Sequence, residues 1–177
     1  MRTFVLCVML AAAAVAASAT FDRLRAEPLP GKASSLRETY DDWIVSCVAR
    51  EAETSCAMSQ IQIDRKTGKR VISFELRSTG RKKATGVLLM PFGLALGKGV
   101  RLKVDEKERR GDLPFSTCLP AGCVVPVAVD ASLLASLKAG TTLGIDAVAS
   151  ESEQPVAFSI SLAGFSPALE RLAEFTN

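Results

Sequence analysis

The sequence predicts an all-β protein: an antiparallel β-sandwich, or partly open barrel, with two short α-helices and two local disulfides. Three observations carry that expectation. From Asp42 onward, apolar and polar residues alternate with period two in one short segment after another. Polar turn sequences such as Arg65-Lys66-Thr67-Gly68 and Ser78-Thr79-Gly80-Arg81 separate the segments. Four cysteines form two close pairs, Cys47/Cys56 and Cys118/Cys123, each set around turn residues.

The chain opens with a short positive start, Met1-Arg2, and an apolar run from Phe4 to Ala17. Ala17-Ser18-Ala19 then supplies the small residues a signal peptidase needs. This is the pattern of a secretory signal peptide over residues 1–19, cleaved after Ala19. The run is shorter than the roughly 20 residues that span a bilayer, which argues against a retained anchor. Cys7 sits too early in the run for a lipobox. No later stretch is apolar and long enough to span a membrane. Residues 20–35, with Pro28, Pro30, Gly31, Ser34 and Ser35, read as a flexible linker, and 36–177 as one β-sandwich domain.

Within that domain the alternation assigns faces. Trp43, Val45 and Cys47 share one side of a first strand. Cys56 to Asp64 follows as a second strand, and Ile72, Phe74 and Leu76 mark the dry side of a third. Thr85 to Met90 continues the series, and Gly97-Lys98-Gly99 opens a strand in which Val100, Leu102 and Val104 turn inward. Phe115 to Thr117, Val124 to Val129, Thr142 to Ala149 and the Val156–Leu162 alternation complete it. Asp130 is a good N-cap for a helix over Ala131 to Lys138, stopped by Gly140, with Leu133, Leu134 and Leu137 as its apolar stripe. A second helix is expected from a Ser166 cap, with Pro167 at its first position, running to about Phe175, with Leu169 and Leu172 facing the sheets.

Composition excludes much chemistry. The 177 residues contain no histidine. A Ser-His-Asp or Cys-His nucleophile, a His-ligated zinc and imidazole acid/base catalysis are therefore all absent. Loss of Arg2 with the leader changes 22 basic residues to 21 against 19 acidic ones, a net charge of +2. That is too small to imply nucleic acid or a polybasic membrane anchor. Gly93-Leu-Ala-Leu-Gly97-Lys98-Gly99 lacks the spacing and the Ser/Thr of a phosphate loop. Asp41-Asp42, Glu75 and Asp146 are the carboxylates that stand out, weakly, for paired-carboxylate chemistry.

Loss of Cys7 with the leader leaves an even number of cysteines, which permit three connectivities. The local one, Cys47–Cys56 and Cys118–Cys123, is expected because each bridge would clip a hairpin, contributing about 2–3 kcal/mol by loop entropy. A four-thiolate zinc site fits the 47/56 spacing poorly, and neither pair has the Cys-x-x-Cys form of a redox site. No cofactor and no metal are expected.

Two segments are candidate contact sites. Val87 to Leu96 is an apolar stretch that reads either as a buried strand and turn or as a partly exposed loop anchored by Phe92, between Pro91 and Gly93. Arg77, Arg81, Lys82 and Lys83 form a positive cluster, either a solvated hairpin tip or an anion site.

Larger blocks of sequence resemble a known family. Leu29 to Cys47, with its Tyr-Asp-Asp-Trp-Ile-Val-Ser-Cys ending, is one. Cys56-Ala-Met-Ser-Gln, Leu89-Met-Pro-Phe-Gly-Leu-Ala-Leu, Cys118-Leu-Pro-Ala-Gly-Cys123 and Phe158-Ser-Ile-Ser-Leu-Ala-Gly-Phe165 are the others. Together they are similar to the invasion-associated locus B family, from about Leu29 to Leu172. Asp41 departs from the glycine usual there. The resemblance implies an exported, β-rich, non-enzymatic envelope protein, periplasmic or surface-associated, linked in some members to host-cell entry. Its partners would be host-cell surface or envelope components, and no catalytic residues carry over. A periplasmic ligand-binding or chaperone-like module for a glycan or peptide is the alternative.

Overall fold

The computed structural model describes residues 29–50, 53–78 and 83–175, with the backbone alone at 108–110. The signal sequence expected over 1–19 lies outside the described residues, as do Arg81 and Lys82.

The strands are β1 (Ser35–Tyr40), β2 (Trp43–Arg50), β3 (Glu53–Ile63), β4 (Arg70–Ser78), β5 (Ala84–Met90), β6 (Val100–Val104), β7 (Lys107–Leu113), β8 (Thr117–Leu119), β9 (Gly122–Val129), β10 (Thr142–Val148) and β11 (Pro155–Ser161). The helices are α1 (Ala131–Ala139) and α2 (Phe165–Glu174). A seven-stranded sheet runs β1-β2-β3-β4-β5-β9-β8 and a four-stranded sheet runs β11-β10-β6-β7. Every pairing is antiparallel.

The alternation read from the sequence sets the faces. Trp43, Val45 and Cys47 on β2, Ile72, Phe74 and Leu76 on β4, and Val100, Leu102 and Val104 on β6 are all buried. They join one apolar cluster with Met58, Leu88, Leu143, Ile145 and Ile160, so the two sheets share a core. Trp43 meets Phe74 and Phe165 edge-on, with ring centroids 6.2 and 5.1 Å apart. Edge-to-face contact suits the opposed charges of ring face and ring rim. α2 lays Phe165, Ala168, Leu169 and Leu172 against the larger sheet. Asp130 caps α1 by accepting from the Leu133 N–H at 2.9 Å.

One connection between the sheets is polar. Gln60, on β3, is the buried polar residue among those described. Its Oε1 accepts from the Ser161 N–H at 3.1 Å and its Nε2 donates to the Ser161 carbonyl at 2.8 Å. The Trp43 indole N–H donates to that same carbonyl at 3.0 Å, and Gln62 Nε2 donates to the Ser159 carbonyl. A strand edge leaves a row of backbone donors and acceptors without partners. Here glutamine amides stand in for the missing strand beside β11.

The helix α2 is tied down a second way. Arg171 reaches Glu38 on β1 through two nitrogens, at 2.7 and 2.9 Å, with Tyr40 also donating to Glu38. The Arg171 guanidinium holds the Glu38 carboxyl below the usual range, and the two carboxylates of Glu38 and Glu174 raise Arg171 in turn. The β1–β2 turn rests on the start of α2. Gly164 has φ +80°, and a Cβ there would lie 1.9 Å from the Tyr40 carbonyl oxygen. Asp41, in that turn, takes φ +47°, a conformation a glycine adopts with less strain.

The sequence expectations shift in four places. β1 and β7 were not among the expected strands. Leu29, assigned to a linker, is buried in the core, and the Ala49 N–H donates to the Ser34 carbonyl. The strand expected at Phe115 to Thr117 forms at Thr117–Leu119 instead, where its pairing with β9 is clipped by a disulfide. Ser166 does not cap α2; Gly164 occupies that position, and the Ser166 hydroxyl donates to the Lys138 carbonyl at the end of α1.

Gln60→Leu leaves the Ser161 N–H without its partner and the Ser161 carbonyl with Trp43 alone, and urea unfolding is expected to show a loss of about 1–3 kcal/mol. Glu38→Gln tests the α2 tether by pH. Because the folded Glu38 carboxyl titrates below its unfolded counterpart, its stabilisation is present at neutral pH and fades as acid protonates it. Wild type should exceed Glu38→Gln by about 1 kcal/mol at pH 7, since the pair is still partly exposed, and the gap should close on acidification.

Candidate interaction surface

The stretch after β5 turns from buried to exposed and back. Leu88 and Met90 face the core, Phe92 is 61% exposed, and Leu94 is buried again. Leu94 forms an isolated bridge with Ala149. The Gly93 carbonyl accepts from the Ser150 N–H at 2.8 Å and from the Ser150 hydroxyl at 3.0 Å. The Ala95 N–H donates to the Val148 carbonyl at 2.8 Å. Gly93 has φ +84° and open space where a Cβ would sit, so the backbone conformation, not crowding, asks for glycine. The loop is thus fixed to the end of β10 by Leu94, Gly93 and Ala95. Phe92 is left outside.

Within Val87 to Leu96, Leu88, Met90 and Leu94 are core and the turn exposes Phe92. The positive cluster fares differently. Arg77 lies on the outer face of β4, where Glu75 Oε1 accepts from its Nε at 3.0 Å and Ser55 Oγ lies 2.9 Å from its Nη1. Its charge is offset locally. Lys83 is exposed just before β5, while Phe92 follows its other end. At about 3.3 Å per residue the two candidates stand roughly 25–30 Å apart, so they form no common site.

The carboxylates do not converge. Glu75 lies on the larger sheet and Asp146 on the smaller, where it pairs with Lys103. Asp41 and Asp42 occupy the β1–β2 turn. Two others act as clamps within the fold. Asp105, after β6, accepts from the Thr141 hydroxyl and from the Thr141 and Thr142 N–H groups, which hold its carboxyl below the usual range. Asp64 is lowered in the same way by the Thr67 backbone and hydroxyl in the β3–β4 turn.

All four cysteines expected in the domain are in disulfides, Cys47–Cys56 and Cys118–Cys123. Each joins residues directly opposite on paired strands, β2 with β3 and β8 with β9. The first bridge is buried; the second stands at the sheet edge, with Cys118 exposed.

The family model described as invasion associated locus B (IalB) protein matches residues 43–173. The chain belongs to this family. It is 50% identical over 151 residues to an invasion protein B homolog of Brucella abortus (strain 2308), covering 85% of this chain and 87% of that protein. It is 34% identical over 146 residues to invasion protein B of Bartonella bacilliformis, covering 81% and 78%. The crystal structure of invasion associated protein b from Bartonella henselae superposes with a TM-score of 0.72 at 33% identity, over 77% of this chain and 94% of that one. The resemblance read from the Trp43 and Cys118–Cys123 motifs is thus borne out, as is the β-rich, doubly bridged fold of this IalB protein.

The sequence missed Gln60. Its only signal was an amide at a position whose strand neighbours of the same parity, Cys56 and Met58, are apolar. The loop divides Phe92 from Leu94 in a testable way. Phe92→Ala is expected to change unfolding free energy by less than about 0.5 kcal/mol, whereas Leu94→Ala should lose about 2–4 kcal/mol, both read from denaturant curves.

Proposed function

We infer that this IalB protein is exported through its N-terminal signal sequence and acts in the envelope or at the cell surface by contact recognition, without catalysis. The observation that carries the reading is Phe92: an aromatic 61% exposed on a loop held after it by Gly93 and Ala95 and entered from the β5 strand end, where Met90 pairs with Cys123. Exposed aromatics on preformed loops make efficient contact anchors, because little conformational freedom is lost when they bind. Disulfide-clipped hairpins suit an oxidising compartment. The names of the relatives, invasion proteins, support a host-cell surface or envelope component as the partner. The Arg77–Lys83 cluster is a secondary contact in this reading, through Lys83 rather than the ion-paired Arg77.

A ligand-binding role for a glycan or peptide is favoured by a different feature. A shallow depression of about 520 Å³ on the outer face of β2–β4 sets the hydrogen-bonding groups of Ser46, Arg50, Glu53, Ser55, Glu75 and Arg77 around Val48 and Ala57.

Two experiments separate these readings. Capture by the exported domain from host membranes should fall at least about tenfold for Phe92→Ala, as anchor residues do, and be unaffected by Arg77→Ala. Capture from periplasm that depends on Arg77 and ignores Phe92 would favour the ligand-binding role. Cell fractionation with non-reducing mass mapping should find the four-cysteine product outside the cytoplasm without free thiols.

A further inference from the structure

Sheet faces that meet water usually alternate charged and polar side chains with the buried ones. The smaller sheet follows this rule: on its outer face Arg101 pairs with Asp112, and Lys103 with Asp146. The larger sheet follows it toward Arg77 and Glu75 but not across the β3–β8 side of its outer face. Ile61, Ser73, Leu89, Val124 and Thr117 are successive cross-strand partners on β3, β4, β5, β9 and β8, forming one uncharged outer row. The next row is Ser59, Glu75, Val87 and Pro126. Ile61 and Leu119 are each 51% exposed and Val87 is 42% exposed. Among these rows lies a shallow depression of about 320 Å³, bordered by Arg70 and Glu75.

We propose that this face is where a second copy of the chain docks, as a two-fold, sheet-on-sheet dimer. The charges select the occupant. Arg70 and Glu75 lie on either side of Ser73 along β4, with opposite signs. Arg70 is held at the rim by donating to the Ala121 carbonyl at 2.9 Å, and Glu75 by Arg77. A two-fold axis running across the strands near Ser73 reverses β4 in the partner. Each Arg70 then lies over the partner's acidic position and the apolar row lies over itself. Two-fold interfaces require this kind of self-complementarity. The serines at 59 and 73 keep the face low enough for two sheets to approach to about 10 Å. Five strands at about 4.8 Å spacing, over about 20 Å of strand length, give roughly 500 Å² per copy. That lies near the lower limit for a specific interface, so the dimer is weak and concentration-dependent.

Sedimentation velocity on the full exported chain, from low to several hundred micromolar, tests this. A monomer–dimer equilibrium is expected. Ile61→Glu should raise the dissociation constant by about tenfold or more while leaving the thermal unfolding curve in place, because the side chain is at the surface. Arg70→Glu or Glu75→Arg alone should weaken the dimer, and the two together should restore it. Phe92→Ala should leave the equilibrium unchanged, so failure here and failure of the contact-recognition reading are distinguishable. A monomer at every concentration, a dimer indifferent to Ile61→Glu, or a charge swap that does not restore association overturns the proposal. So does a monomer that binds phosphatidylglycerol–phosphatidylethanolamine vesicles through Ile61, which would assign the face to lipid.

Discussion

The architecture turns on how the edge of β11 is closed. Hairpins supply most of the pairings, with β5–β9 and β10–β6 joining strands distant in sequence, but the two sheets have no shared strand among the described elements. Apolar packing holds them face to face without fixing their relative position, because it is not directional. The Ser161 backbone supplies that direction. Gln60 engages its N–H and its carbonyl together, and Trp43 adds a donor to the same oxygen. Burial makes these bonds obligatory, since an unpartnered backbone group inside the protein costs about 1–3 kcal/mol. Trp43 then sets Phe74 and Phe165 around its ring, so the helix α2 and the larger sheet take their places from the same anchor.

The periphery repeats the device with other chemistry. Arg171 and Glu38 join α2 to the edge strand β1, Asp105 gathers the start of β10, and Ser150 holds the Phe92 loop. Each disulfide secures a hairpin end already paired by backbone bonds. The result is a body whose exposed features, an aromatic loop and an apolar sheet face, are carried on fixed supports. Recognition by such a surface depends on little rearrangement, which favours specificity from small contact areas. At 33% identity the fold of the Bartonella henselae protein is retained, as expected when inward alternation and edge closure matter more than the identity of surface residues.

How well each part could be read from sequence follows from where the physical signal lies. Strands with one dry face, such as β2, β4 and β6, announce themselves by alternation. β1 and β7 do not: Ser-Leu-Arg-Glu-Thr-Tyr and Lys-Glu-Arg-Arg-Gly-Asp-Leu are edge strands, so fewer of their side chains must be apolar. Leu29 is an isolated apolar residue among prolines and glycine, and nothing local says that it reaches the core. Phe92 was legible as a residue between Pro91 and Gly93, but its exposure depends on Ser150 and Ala149, more than fifty residues away in sequence.

The sequence alone determined the secondary-structure class, the inward faces, the α1 cap, the cysteine pairing and the family, because these rest on residues near one another in the chain or on compact motifs. The tertiary structure decided which strands lie side by side, that Gln60 closes an edge, that Phe92 and Lys83 stand apart, and that an uncharged row crosses five strands on the outer face of the larger sheet. Those properties join residues on separate strands, and their physical basis is cross-strand register, which local order in the sequence does not encode.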